Sequence, residues 1–173
     1  KIISKKKNFA NLNFRKIPNI MGVLNLTPDS FSDGGKFNNQ IKGAKHAVEM
    51  LKAGANVIDI GGESTRPGSK TVNKKLEWNR IHKILKSICK TVPVSLDSRK
   101  SEIIEKGIKL NIKIVNDVSG LEFDKKTKNI LKKFGDKYSF FIYAKDGNSD
   151  NSFELINSSN FFKHFSNADV IVH

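Results

Sequence analysis

The segment "GGESTRPGS", residues 61–69, sets hydroxyls and a guanidinium directly behind two glycines. Gly61 and Gly62 allow the backbone to approach a ligand closely. Ser64 and Thr65 offer hydroxyl donors. Arg66 adds a rigid fork of N–H groups that suits phosphate or pyrophosphate. An ordinary loop between a strand and a helix is the plainer alternative, with Pro67 and Gly68 as its turn formers. Upstream, "NLTPDSFSDGG" (25–35) follows the apolar run "IMGVL" and carries two aspartates, three hydroxyl side chains, a proline and paired glycines. Asp97 ends "PVSL" and Asn116 ends "IKIV". Asp97 is either a helix N-cap or an acceptor for a heterocycle with adjacent N–H groups. Asn116, followed by Asp117, either opens an Asx turn or donates and accepts along a heterocycle edge. His46 and His82 fall in helical patterns and read as surface residues, and no Cys/His spacing suggests zinc.

The elements that must hold these residues repeat. Ile20–Leu24 is an apolar run, and Ile41, Ala44, Ala47, Val48 and Leu51 follow at helical spacing as far as Gly54. Val57–Ile60 is a second run, with Leu76, Ile81, Ile84, Leu85 and Ile88 as its helix. Val92–Leu96 is a third, with Pro93 tolerable at a strand start. Ile103, Ile104 and Ile108 mark a third helix, and Ile112–Val115 a fourth strand. A helix near 122–134, a strand at Tyr138–Tyr143, a helix over 152–166 and the terminal run "DVIVH" complete the series. Strand, loop and helix in alternation predict βαβ units and a parallel sheet, and runs without alternation fit strands covered on both faces. The polar clusters all stand just after strands, at Asn25, Glu63–Arg66, Asp97–Arg99 and Asn116–Asp117, so they should converge on one mouth.

Composition excludes several classes. The chain has 173 residues, 38% hydrophobic and 28% charged, which suits one soluble domain. No apolar run approaches the roughly 20 residues that cross a bilayer, and no leader pattern opens the chain. Cys89 is the only cysteine, so no internal disulfide is possible, and a reducing, cytoplasmic setting is expected. The net charge is +14, but only Arg15, Arg66, Arg80 and Arg99 among 31 basic residues are arginine. The lysines alternate with apolar residues at helical spacing instead of interleaving with aromatics, which reads as solvated helix faces and not as a nucleic-acid surface.

Four segments, "MGVLNLTPDSFSDGG" (21–35), "VIDIGGESTRPGS" (57–69), "VSLDS" (94–98) and "IVNDVSG" (114–120), closely resemble dihydropteroate synthase in order and spacing. The resemblance implies a TIM-type (β/α)8 barrel. It also implies a transferase of folate biosynthesis that joins p-aminobenzoate to 6-hydroxymethyl-7,8-dihydropterin pyrophosphate and releases pyrophosphate. Mg2+ is the implied cofactor, with Asn25 matching its ligand. Asp33 matches the loop carboxylate that stabilises the cationic pterin methylene, and Pro28 and Phe31 would wall the aminobenzoate pocket. Thr65 and Arg66 match positions near pyrophosphate and aminobenzoate, and Asp97 and Asn116 match pterin-binding positions. The complete protein is expected to bind no nucleic acid or membrane and to form a homodimer.

Two departures shape the expectation. After the fifth strand the family's His-Met-x-Gly-x-Pro-like segment is replaced by "IYAKDGN" (142–148). Its later Asp-Pro-Gly, Ser-Arg-Lys and Arg-x-His segments have no counterpart. The reading is therefore a lead-in or linker over 1–16 and a pterin-binding barrel domain over 17–173, truncated at its C-terminus after about five βα units and inactive alone. Two alternatives stand beside it. One is a pterin-binding barrel of the methyltetrahydrofolate methyltransferase type, which should lack "TPDSFSDGG". The other is a non-catalytic remnant.

Overall fold

The computed structural model of the chain describes residues 2–3, 8–9, 12–13, 19–27, 36–64, 68–134, 139–142 and 170–172. Its strands are β1 (Ile2–Ile3), β2 (Asn8–Phe9), β3 (Leu12–Asn13), β4 (Met21–Asn25), β5 (Val57–Gly61), β6 (Val94–Asp97), β7 (Ile114–Asp117), β8 (Ser139–Ile142) and β9 (Val170–Val172). The helices are α1 (Lys36–Lys52), α2 (Lys74–Ile88), α3 (Ser101–Lys109) and α4 (Lys126–Phe134).

Strands β4 to β9 lie side by side in chain order, each parallel to the next. Doubly wound sheets reverse their strand order at a switch point; a barrel wall does not. The unbroken order is that of a (β/α) barrel, with β4 at one edge of the sheet. β1 closes the other edge by pairing antiparallel with β9, and β2 pairs separately with β3. The expected lead-in over 1–16 thus contributes three two-residue strands; Ile2–Ile3 is a β-branched pair suited to a sheet edge. The helix expected over 152–166 lies outside the described residues.

Alternation along each strand sorts its side chains. Leu24, Ile60, Leu96 and Val115 share one register row and are buried against the helices. They meet Ile81, Ile84 and Leu85 of α2, Ile103, Ile104 and Ile108 of α3, and Leu131 of α4 in one core. Each such side chain contributes about 1.5–3 kcal/mol by burial. On α1 the expected stripe is only partly covered: Ala47 is buried, but Ile41 and Val48 are 70% and 45% exposed. Helix α1 lies over the edge strand β4, and among the described helices only α2 flanks it.

Local signals explain the helix ends. Asn73 caps α2 by accepting from the Leu76 amide at 2.8 Å. Gly54, after α1, has φ +106°, and Asn111, after α3, has φ 71°, both left-handed positions that end a helix. No described helix is long and apolar enough to cross a membrane.

Candidate functional site

The face of the wall turned away from the helices is polar at its carboxyl end. Register places Asn25 opposite Gly61, Gly61 opposite Asp97, and Asp97 opposite Asn116, a single row across β4, β5, β6 and β7. One pleat below lie Val23, Asp59, Ser95 and Ile114. Gly61 leaves room in the upper row. A Cβ placed there would stand 3.2 Å from Asp97 Oδ2 and 3.4 Å from Asn25 Oδ1, so both oxygens lean over the glycine. Asn116 Nδ2 donates to Asp59 Oδ2 in the row below at 3.1 Å.

Asn25, Asp97 and Asn116 are therefore brought together as expected. Pro28, Phe31, Asp33, Thr65 and Arg66 lie outside the described residues. The plainer readings of the strand tips fail for specific reasons. Asp97 caps no helix: Lys100 holds the cap position of α3, and the Ser101 amide donates to Asp124 Oδ2 at 3.1 Å. An Asx turn exists, but Asp117 makes it, accepting from Ser119 N and Oγ at 2.8 and 2.6 Å. The Gly62 position is dictated by packing. A Cβ there would meet the Glu77 carbonyl oxygen and Ile81 Cγ2, each at 2.9 Å.

Carboxylates crowd the row. Burial pushes the Asp97 carboxyl up to about 8, and the negative charges of Asp59, Asp117, Glu77 and Glu63 push the same way. Burial likewise raises Asp59, with Ser95 and Asn116 pulling against it, and raises Asp117 against its bonds from Ser119. Asp97 is thus a proton holder in the free protein and an acceptor once that proton leaves.

A second buried cluster braces the loop after β5. Lys100 Nζ bonds the Glu63 carboxylate and, at 2.6 Å, Glu77 Oε2; Ser98 Oγ donates to Glu77 Oε1 at 2.6 Å. Arg99 donates to Glu63 Oε1 at 3.1 Å and lies 4.0 Å from the centre of the Phe123 ring. Arg80 donates to the Gly62 carbonyl at 2.7 Å. Burial alone would raise Glu63, but its bonds from Lys100 and Arg99 bring it net below the usual carboxylate range.

Sequence reasoning placed Glu63, Ser98 and Arg99 among the strand-tip polar residues but missed Glu77, Lys100 and Asp59, although signals existed. Glu77 precedes Ile81 by one helical turn and so stands on the apolar stripe of α2. Asp59 interrupts "VIDIG", a strand whose every residue is buried. A carboxylate in such a strand calls for a reason beyond packing.

The model of the family described as "Pterin binding enzyme" matches residues 21–167. The chain belongs to that family. A curated relative, the dihydropteroate synthase of Clostridium beijerinckii, is 42% identical over 136 residues, 78% of this chain and 49% of its own. The crystal structure of dihydropteroate synthase from Clostridium difficile, in the presence of pteroic acid, superposes with a TM-score of 0.82 at 31% identity, covering 93% of this chain and 65% of that one. Dihydropteroate synthase from Anaplasma phagocytophilum, with bound 6-hydroxymethylpterin-monophosphate, is 34% identical with a TM-score of 0.66, covering 81% and 57%. The chain spans about half the length of the curated relative from C. beijerinckii. The family's barrel fold agrees with the singly wound wall, and the wall seen here is an incomplete barrel.

Proposed function

We propose that this chain carries the front of a dihydropteroate synthase, which condenses p-aminobenzoate with 6-hydroxymethyl-7,8-dihydropterin pyrophosphate. The observation that carries the reading is the row Asn25–Gly61–Asp97–Asn116, with acceptors and an amide on neighbouring strand tips above a glycine gap. A flat heterocycle with an amino-pyrimidinone edge matches those groups. Asp97 and Asn116 bind and orient the pterin. By their match to the family's motifs, Thr65 and Arg66 would bind the pyrophosphate and Asp33 would stabilise the methylene that becomes positive as pyrophosphate departs. Pro28 and Phe31 match the family's aminobenzoate-pocket positions.

The donor set suits Mg2+. The exposed Asn25 presents an amide oxygen at the tip of β4, and a hard oxygen donor is what this ion takes. Among the described residues no group of three or more His, Cys, Asp or Glu side chains could hold a metal alone. Mg2+ commonly completes its shell with water and substrate phosphates. When bound, the ion neutralises charge on the leaving pyrophosphate.

The test is calorimetry with the dihydropterin pyrophosphate on the full-length protein. Asp97→Ala and Asn116→Ala should each lose about 1.5–3 kcal/mol of binding, because a buried partner is left unpaired. Unchanged affinity in both variants would remove the assignment. Turnover by residues 1–173 should be absent beside a family-length protein; equal rates would place the active site elsewhere.

A further inference from the structure

We propose that Asp59 is a positioning residue that fixes which way round the Asn116 amide faces, and hence which ligand edge the site reads. The inference rests on the pterin reading above and deepens it. Asn116 sits in the upper row with its side chain partly exposed, while Asp59 lies one pleat lower and is 5% exposed. The 3.1 Å bond runs from Asn116 Nδ2 down to Asp59 Oδ2. An amide on a strand tip can rotate by half a turn, exchanging its oxygen for its nitrogen at little steric cost. A carboxylate oxygen below it removes that freedom, because it accepts from N–H and repels the amide oxygen. One Nδ2 hydrogen is thereby committed inward. The Oδ1 acceptor and the second Nδ2 hydrogen are left in one fixed order along the mouth.

Two further observations point the same way. Beside the Asn116 bond, Asp59 is drawn only towards the neighbouring Ser95 hydroxyl, so among the described residues it belongs to no wider network. Among the described residues nothing bonds Asn116 Oδ1. Asp97, the register neighbour of Asn116, adds its carboxyl to the same edge. A fixed acceptor–donor order beside a carboxyl distinguishes a 2-amino-4-oxo heterocycle from its 4-amino-2-oxo isomer. An amide free to flip accommodates either.

Two variants separate this role from a packing role. Asp59→Asn keeps the shape but carries both an acceptor and a donor, so it can turn together with Asn116. Asp59→Leu keeps the volume and removes the acceptor. Calorimetry on the full-length protein compares pterin with its 4-amino-2-oxo isomer, after circular dichroism and melting have verified folding. The native protein should prefer pterin by about tenfold or more, and Asp59→Asn by less. In Asp59→Leu that ratio should fall towards one, with affinity for the isomer rising relative to pterin. A loss of packing alone would weaken both ligands equally and leave the ratio intact, which would overturn the proposal. The side-chain amide signals of Asn116 in 15N spectra give a readout without ligand. Slow hydrogen exchange in the native protein, fast exchange in Asp59→Leu and an intermediate rate in Asp59→Asn is the expected pattern. Equal exchange in all three would refute the orientation. Failure of the native protein to bind either heterocycle would sink the pterin reading instead, and the exchange rates would still decide whether Asp59 holds the amide.

Discussion

Lys100, just past the tip of β6, reaches Glu77 on α2 at 2.6 Å, and both side chains are almost wholly buried. Lys100 also bonds Glu63, so one cation stands between two carboxylates from different elements. Burying ions is costly unless they are paired, and removing one partner costs more than the pair contributes. Lys100→Met should therefore destabilise the protein by about 3–5 kcal/mol in urea denaturation. Adding Glu77→Gln should recover part of that loss. A variant as stable as the native chain would show that the cluster is solvated.

Glu63 makes the same cluster visible in acid. Its folded carboxyl lies net below the ordinary value, so its contribution is fully present above the unfolded value. That contribution disappears as pH falls through the folded value. In Lys100→Met the largest single bond holding Glu63 down is gone. The acid limb of the stability curve, followed by urea midpoints between pH 3 and 6, should flatten.

Asp97 predicts the opposite slope. Its folded carboxyl holds a proton up to about 8, whereas the unfolded chain releases it near the ordinary carboxylate value. Between those limits the folded state binds more protons, so stability falls as pH rises and levels off above the upper one. Asp97→Asn should remove that decline and be more stable than the native chain at pH 8. Parallel curves for the two proteins would contradict the crowding of carboxylates in the row.

Two glycines should fail for different reasons. Gly62→Ala forces a methyl against the Glu77 carbonyl and Ile81, and overpacking of this kind costs about 1–3 kcal/mol. Gly68→Ala meets nothing, but its φ of +81° costs an L side chain about 1–2 kcal/mol. In a double-mutant cycle with Ile81→Ala, which removes the Ile81 Cγ2, the first loss should shrink and the second should not, as measured by denaturant midpoints.

Cys89 offers a probe of opening. It is buried, and burial pushes its thiol up to about 11. Its labelling by a thiol reagent at pH 8 should follow global unfolding and slow in step with any ligand that stabilises the fold. Fast labelling of the native chain would mean that the α2–β6 corner opens locally.

The wall itself was legible because its apolar runs needed no partner to be recognised. Val57–Ile60 and Ile112–Val115 announce covered strands, and the polar residues behind them mark the mouth. Boundaries shifted where hydrogen bonding outweighed hydropathy: β7 runs on through Asn116 and Asp117, and β6 begins only after Pro93. Asn25, Asp97 and Asn116 could be singled out because they follow apolar runs. Asp59 and Glu77 sit inside them, and lone charges within apolar segments look like exceptions until register and helix packing show what they touch. Ile41 and Val48 misled in the other direction, since periodicity defines a stripe but not whether a neighbour covers it.

The raised carboxyl of Asp97 makes the free site a reservoir of one exchangeable hydrogen ion near neutrality. A heterocycle whose N–H needs an anionic acceptor there must drive that ion into the medium as it docks. Binding heat measured at one pH should then vary with the ionisation enthalpy of the buffer. The slope of that line counts the protons released, and it should vanish in Asp97→Asn.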